Sequence, residues 1–282
     1  MMENVSEPLI TNVSDTARWI AAYRARESAR PDAVFTDPFA DLLAGERGYA
    51  IADSNIEPIG GRNGWPMVAR TVVIDRLVAT SIADGCTRIL CLASGFDTRP
   101  YRLALPAELE WIEVDLPDLI DEKERALAGH EPRCRLHRIA ADLSDDTVRR
   151  ELLAEYGGPT TLVLTEGLLI YLDEATVRTL SGDLRDAEIG WWILDPVSPR
   201  IMESMRKRPQ LTNAPMKFAP ANGIGYYESL GWTVLDIESL LLVAARLRRL
   251  PLFMRPLAKL PQPDPRNPGK GMWSAIVRLA PA

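Results

Sequence analysis

The sequence predicts an α/β fold built on a mainly parallel sheet, on the strength of three observations. From Arg88 onward, short apolar runs of strand length alternate with longer stretches of helical spacing. The first of these runs, Ile89 to Leu92, is apolar and too short to be a helix on its own. A chain of 282 residues with 46% hydrophobic and 26% charged residues has ordinary globular composition, so one large core is within its means.

Helical segments dominate the first eighty residues. "SDTARWIAAYRARES" starts at Ser14, with Ser14 or Asp15 as the expected N-cap, and breaks at Arg30-Pro31-Asp32. "DPFADLLAG" follows, with Gly45 as its expected end. The stretch "PIGGRNGWP", Pro58 to Pro66, reads as a flexible joint. A further helix spans about Met67 to Ala83. The strand runs are then "RILCLA", "EWIEVD", "CRLHRIAAD", "TLVLTE", "WWILD", "GWTVLDI" and "MWSAIVRLA". Helices fall in "LPDLIDEKERALAG", "SDDTVRRELLAEY" and "DEATVRTLSGDLRDA". The expected division is a helical lid over residues 1–80 and a binding core over 81–282.

Several function classes are disfavoured by composition. A net charge of −6, with arginines scattered among acids, gives no nucleic-acid footprint. Two histidines, His130 and His137, and three cysteines without a CxxC spacing argue against a metal centre or a disulfide scaffold. The N-terminal stretch lacks a signal-peptide pattern, and "SLLLVAARLRRL" is interrupted by arginines, so a cytoplasmic protein without membrane spans is expected.

Ligands of such sheets bind beyond the carboxyl ends of the strands, where the strand order reverses. After the first strand, Ala93-Ser94-Gly95 is either a plain turn or a place where backbone N–H groups approach a ligand. No GxGxxG is present, so the dinucleotide fingerprint is missing. Asp115 closes the second strand, about 20 residues past that turn, where a carboxylate would accept from ribose hydroxyls or favour a helix N-terminus. Glu113, two residues earlier on the same face, is the weaker substitute. After the third strand, Asp142 and the Leu143 N–H suit an adenine edge, while helix capping by this segment is the plain alternative. Glu166, after the fourth strand, would be costly to bury unpaired; a cationic ligand group or an arginine would satisfy it. Adenine, ribose and a cationic tail together describe S-adenosylmethionine (SAM). A pyrophosphate would want helix N–H groups and no acids nearby.

At these residues the chain resembles the leucine carboxyl methyltransferase family, and within it the bacterial small-molecule O-methyltransferases of the tetracenomycin polyketide type. The pieces carrying the resemblance are "TARWIAAYRARES", "RPDAVFTDPFADLLAG", "ARTVVID", "LASGFDTRPYRL", "EVDLPDLIDEKERAL", "ADLSDD" and "EGLLIYL". They run from Thr16 to about Leu180, in order. The resemblance implies a Rossmann-like class I SAM-dependent methyltransferase with a seven-stranded sheet and an N-terminal helical lid. It implies that Arg70 holds the carboxylate of SAM or of the substrate, and that Ala93, Ser94 and Gly95 form the turn, Gly95 passing beneath the methionine part. It further implies Asp115 on ribose, Asp142 and Leu143 on adenine, Glu166 on the methionine amino group, and Tyr171 facing the acceptor. The family turn usually reads "GAG"; here Ala93 stands at the first glycine. The lysine of the eukaryotic branch has no assigned counterpart in "TARW".

Methyl transfer from a sulfonium is an in-line displacement that mainly needs alignment. A carboxylate acceptor, with a pKa of about 4, is already ionised at neutral pH, whereas a phenol near 10 would want a base. The scarcity of histidine favours the carboxylate of a small molecule. The pocket is expected between the lid and the segment "DPVSPRIMESMRKRPQLTNAPMKF"; Tyr23, Arg24, Arg26, Trp191, Trp192, Tyr226 and Tyr227 flank it without an assigned role. Competing readings are a NAD-type oxidoreductase, a non-enzymatic SAM-binding protein and a protein C-terminal carboxyl methyltransferase. Oligomeric state and the acceptor's identity stay open.

Overall fold

The computed structural model describes residues 8–54 and 63–282. Seven strands form one sheet in the order β3-β2-β1-β4-β5-β7-β6. They are β1 (Arg88–Leu92), β2 (Glu110–Asp115), β3 (Arg135–Ala140), β4 (Thr161–Thr165), β5 (Trp191–Leu194), β6 (Trp232–Ser239) and β7 (Ala275–Pro281). The first five run parallel, and β7 lies antiparallel between β5 and β6. Every predicted strand run therefore forms a strand. Sequential order reverses between β1 and β4, which pair from Arg88↔Thr161 to Cys91↔Leu164, so the crevice of the fold opens above these two strands.

The helices are α1 (Ser14–Ser28), α2 (Ala40–Asp53), α3 (Trp65–Ala83), α4 (Arg99–Arg102), α5 (Pro117–Ala126), α6 (Asp146–Tyr156), α7 (Glu174–Asp186), α8 (Pro199–Arg206), α9 (Gly225–Ser229) and α10 (Leu240–Arg246). Period-two alternation sorts the strand side chains onto two faces. Leu90, Leu92, Ile112, Val114, Val163 and Trp192 pack with Leu152 and Leu153 of α6 and with Val177, Leu180 and Leu184 of α7. Ile89, Cys91, Trp111, Leu162 and Ile193 pack with Ile74, Leu77 and Val78 of α3 and with Val243 of α10. Trp191 packs against this second face, opposite Trp192. A third apolar cluster joins α1 and α2 to Phe96, Leu119 and to Met202 and Met205 of α8. That cluster seats α1 across the carboxyl ends of the strands.

One helix end differs from the sequence expectation. Neither Ser14 nor Asp15 caps α1: Val13 holds the cap position without a side-chain bond. Asp15 instead accepts from the Thr11 N–H at 2.7 Å and from Arg47 of α2 at 2.7 Å, which ties the two helices together. Gly45 leaves helical geometry, at φ +53, as expected of a helix end, and a second helical stretch follows it at once and runs to Asp53. The expected joint Pro58–Pro66 lies outside the described residues over 58–62. Among the described residues, no helix is long and apolar enough to cross a membrane.

Candidate functional site

A cavity of about 460 Å³ lies over the carboxyl ends of β1, β2, β4 and β5, with α1 across it. Its volume is in the usual range for a small-molecule site. All of the residues singled out in the sequence, Arg70, Ala93, Ser94, Gly95, Asp115, Asp142, Leu143, Glu166 and Tyr171, line this one space. The stretch expected to build the far wall contributes Asp195, Val197, Ile201, Met205 and Met216. Of the flanking candidates, Arg24 reaches the cavity and carries an ion pair to Asp37 at 2.7 Å. Trp192, Tyr226 and Tyr227 instead belong to the core.

The turn after β1 is held in left-handed backbone geometry at both ends, with φ +56 at Ala93 and +49 at Gly95. Gly95 meets that demand freely, and a Cβ there would come within 3.2 Å of Ala17 Cβ on α1. Ala93 carries the strain of a side chain in the same region, about 1–2 kcal/mol. Between them, the buried Ser94 hydroxyl has no hydrogen-bond partner. Groups of that kind are rare inside proteins unless something else satisfies them.

Asp115 receives the turn's geometry directly. Its carboxylate accepts from the Gly95 N–H at 2.7 Å and from the Leu116 N–H at 2.8 Å. Burial pushes its carboxyl above the ordinary value, against the pull of the two N–H donors. Each oxygen keeps lone pairs for a further donor, as two ribose hydroxyls would be. Glu113, its neighbour on that face, is excluded from the site: Lys123 takes one oxygen at 2.7 Å and Arg138 the other at 2.9 Å. Asp142 is exposed at the rim, and its Oδ1 accepts from the Ser144 N–H. Capping of α6 falls to Asp145, which accepts from Thr147 N and Val148 N.

At the β1/β4 switch the charges are dense. Glu166 is paired with arginine, one of the two partners open to it from the sequence. Arg99 donates to its Oε2 at 2.8 Å, and Arg70 Nε lies 2.9 Å from its Oε1. Burial works against its charge, but Arg99 and Arg70 hold its carboxyl below the ordinary value. Arg70 also donates through Nη1 to Asp195 at 2.9 Å. Arg99 reaches on to Asp97 and Asp75 at 2.8 and 2.7 Å. Asp195, just past β5, was missed as a site residue. The signal was present: it ends the fifth apolar run as Glu166 ends the fourth. Burial raises its carboxyl to about 6, against the pull of Arg70.

Away from these charges the cavity becomes apolar, lined by Ile20, Met67, Ile170, Ile201, Met205 and Met216. Two polar groups interrupt that wall. Tyr171 has its phenol raised by burial, against hydrogen bonding with Thr16. Trp19 is buried, and its indole N–H has no partner. Among the described residues lining the cavity there is no histidine; His130 packs edge-to-face with Phe39 elsewhere.

Seven strands in this order, one antiparallel, with a cavity at the β1/β4 switch, define the Rossmann-like α/β fold of class I methyltransferases. Solved structures agree on the fold: a DUF574 family protein from Streptomyces avermitilis superposes with TM-score 0.58 at 13% identity, over 95% of this chain and 97% of that one. A protein from Thermobifida fusca assigned as a methyltransferase gives 0.57 at 17% identity, over 98% and 97%. The family is shown by sequence. The leucine carboxyl methyltransferase family profile matches residues 17–184, more than half of the chain, and the chain belongs to that family. A Mycolicibacterium smegmatis protein assigned as an S-adenosyl-L-methionine-dependent methyltransferase is 38% identical over 187 residues, 61% of this chain and 62% of that protein. A Mycolicibacterium vanbaalenii protein with the same assignment is 31% identical over 224 residues, 73% of each. The match thus spans about three fifths of the first relative's length.

Proposed function

We propose that this chain is a SAM-dependent O-methyltransferase acting on the carboxylate of a small, largely apolar molecule of polyketide type. The observation that carries the reading is the convergence of Gly95, Asp115, Asp142, Leu143, Glu166 and Arg70 on one cavity at the switch point. The residues fit the cofactor on their own terms. Asp115 is preorganised by two backbone donors and keeps free lone pairs. The Ser94 hydroxyl is buried and unsatisfied beside it. Glu166 is held ionised in a site that would receive an ammonium.

When bound, SAM supplies a methyl already activated on a sulfonium. What remains for the chain is to bind, align and exclude water. Asp115 would take the ribose hydroxyls, Asp142 and the Leu143 N–H the adenine, Glu166 the amino group and Arg70 the carboxylate. The α1–α2 pair would act as the lid, with Ala17 already packed near Gly95. The apolar wall of Met67, Met205 and Met216 suits an adaptable hydrophobic acceptor, because methionine repacks easily. Tyr171 would face the reacting group.

A carboxylate acceptor is supported by the absence of a free base among the described lining residues. Both oxygens of Asp195 are engaged, by Gly167 N–H and Arg70. A carboxylate needs no proton removed at neutral pH. The three cysteines are buried free thiols, the form that a reducing cytoplasm maintains. The test is a methyl-transfer screen with labelled SAM against aromatic acids that also bear a phenol. Methyl ester is the expected product. Exclusive phenol ether would overturn the carboxylate assignment, and methylation of protein C-termini instead would overturn the small-molecule one.

A further inference from the structure

The two contacts that Arg70 makes are not alike. Its Nη1 donates a formed hydrogen bond to Asp195 Oδ2 at 2.9 Å. Its Nε is 2.9 Å from Glu166 Oε1, yet that nitrogen makes no hydrogen bond of acceptable geometry. The first contact is an anchor; the second is an electrostatic approach that another charged group can take over. Asp195 is itself anchored, because both of its oxygens accept from the Gly167 N–H, at 3.0 and 3.1 Å. Gly167 follows Glu166 directly, at φ +69, and a Cβ there would stand 3.6 Å from Arg70 Nη1. Asp195 therefore joins a side chain of α3 to the backbone beside Glu166, across β4 and β5.

From this arrangement we infer that Asp195 is the positioning residue of a two-ended clamp for the α-amino-acid part of the ligand, an inference that rests on the SAM reading of the cavity. Asp195 holds Arg70 by Nη1, and the Nε contact to Glu166 Oε1, at 2.9 Å without a hydrogen bond, is the one that a ligand carboxylate can take over. With Arg70 hydrogen-bonded to Asp195, Glu166 Oε1 keeps only an electrostatic contact to Arg70, which an ammonium can replace. Arg99 stays on Glu166 Oε2 at 2.8 Å and keeps that carboxylate ionised and oriented. Without the charge on Asp195, Arg70 would turn its Nε contact with Glu166 into a full hydrogen bond, and both ends of the clamp would be lost together. Asp195 touches no reacting atom in this scheme and acts through Arg70.

Two probes isolate the clamp. S-adenosylhomocysteine carries the amino-acid part, and 5′-methylthioadenosine has the same nucleoside thioether without it. Calorimetric titration of Asp195→Asn should show S-adenosylhomocysteine binding weakened about tenfold, the scale of one charged contact. Binding of 5′-methylthioadenosine should change by less than about twofold. In turnover the KM for SAM should rise by a larger factor than kcat falls. In an Arg70→Gln background the same Asp195→Asn change should add little, because its effect runs through Arg70. Should Asp195→Asn prove unfolded by melting, Asp195→Glu, which keeps the charge, carries the test: it should bind S-adenosylhomocysteine more tightly than Asp195→Ser. Equal weakening of both probes, no weakening of either, or full additivity with Arg70→Gln would overturn the inference while leaving the SAM reading intact. Failure of the unmodified protein to bind either probe would overturn both.

Discussion

Two glutamates on the sheet, Glu113 inside β2 and Glu166 just beyond β4, are both largely buried and both paired with two cations, yet they belong to different kinds of network. Glu113 faces α5, and each of its oxygens has one well-placed partner, Lys123 Nζ at 2.7 Å and Arg138 Nε at 2.9 Å. Arg138 is satisfied in turn by the Tyr101 hydroxyl at 2.6 Å. Nothing in that network is exposed to the cavity. Glu166 faces the cavity, its Arg70 contact is not a hydrogen bond, and its cations are shared with Asp75, Asp97 and Asp195. A closed network stabilises one arrangement. An open one, with donors left over, is built to admit a third party. The difference is one of position: Glu113 lies within the ladder, and Glu166 lies past its end.

Removing a partner should separate the two most sharply. Glu113→Ala leaves Lys123 buried without its acceptor and should cost roughly 3–5 kcal/mol of stability, read as a large fall in the denaturation midpoint. If that variant is as stable as the parent, the closed network is not structural. Asp115→Ala should leave stability far less affected and weaken nucleoside binding about a hundredfold, for two charged hydrogen bonds lost. Retained affinity for 5′-methylthioadenosine would move the ribose elsewhere. Glu166→Gln should weaken S-adenosylhomocysteine about tenfold and 5′-methylthioadenosine hardly at all.

pH sharpens the same contrast. Asp195 ionises at about 6, because burial raises it. It is faced by Arg70 from α3, by Glu166, the Gly167 N–H and Tyr171 beyond β4, and by Tyr227 of α9. A raised carboxyl is charged above that value and neutral below it, so its hold on Arg70 is present at pH 7.5 and lost toward pH 5. The ratio of S-adenosylhomocysteine to 5′-methylthioadenosine affinity should therefore fall as pH drops through about 6. Asp115 titrates under both probes and cancels from the ratio. A flat ratio would show that Asp195 does not govern the clamp. The smallest effect expected is at Ala93. Ala93→Gly relieves a left-handed alanine at the cost of extra chain entropy and should stabilise the fold by about 0.5–1 kcal/mol. A fall in melting temperature would contradict that reading of the turn.

The central strands β1, β4 and β5 were legible because strands buried on two faces are mostly apolar, and β1, β2, β4 and β5 are each followed or closed by the polar residues that mark their carboxyl ends. Alternation alone put Ile112 and Val114 opposite Glu113 and Asp115. The helix ends were harder. Asp15 carries a good cap signal, but Arg47 claims its carboxylate; the stop signal of Gly45 does break the helical geometry, and what the sequence does not show is that a second helical stretch follows without a loop. At the site, each strand-end acid was readable by itself. Their partners were not, because Arg70, Glu166 and Asp195 come from three segments that only the sheet order brings together. Nor does the sequence reveal that the Ala93 backbone is left-handed, or that the Trp19 and Ser94 donors are buried without partners.

If the cavity over β1 and β4 receives an adenosine with an amino-acid tail, calorimetric titration of the purified protein with S-adenosylhomocysteine and, separately, with NAD will show it. Saturable one-to-one binding of S-adenosylhomocysteine, lost in Asp115→Ala, and none of NAD is expected. No heat from S-adenosylhomocysteine, or tighter binding of the dinucleotide, would rule that ligand out.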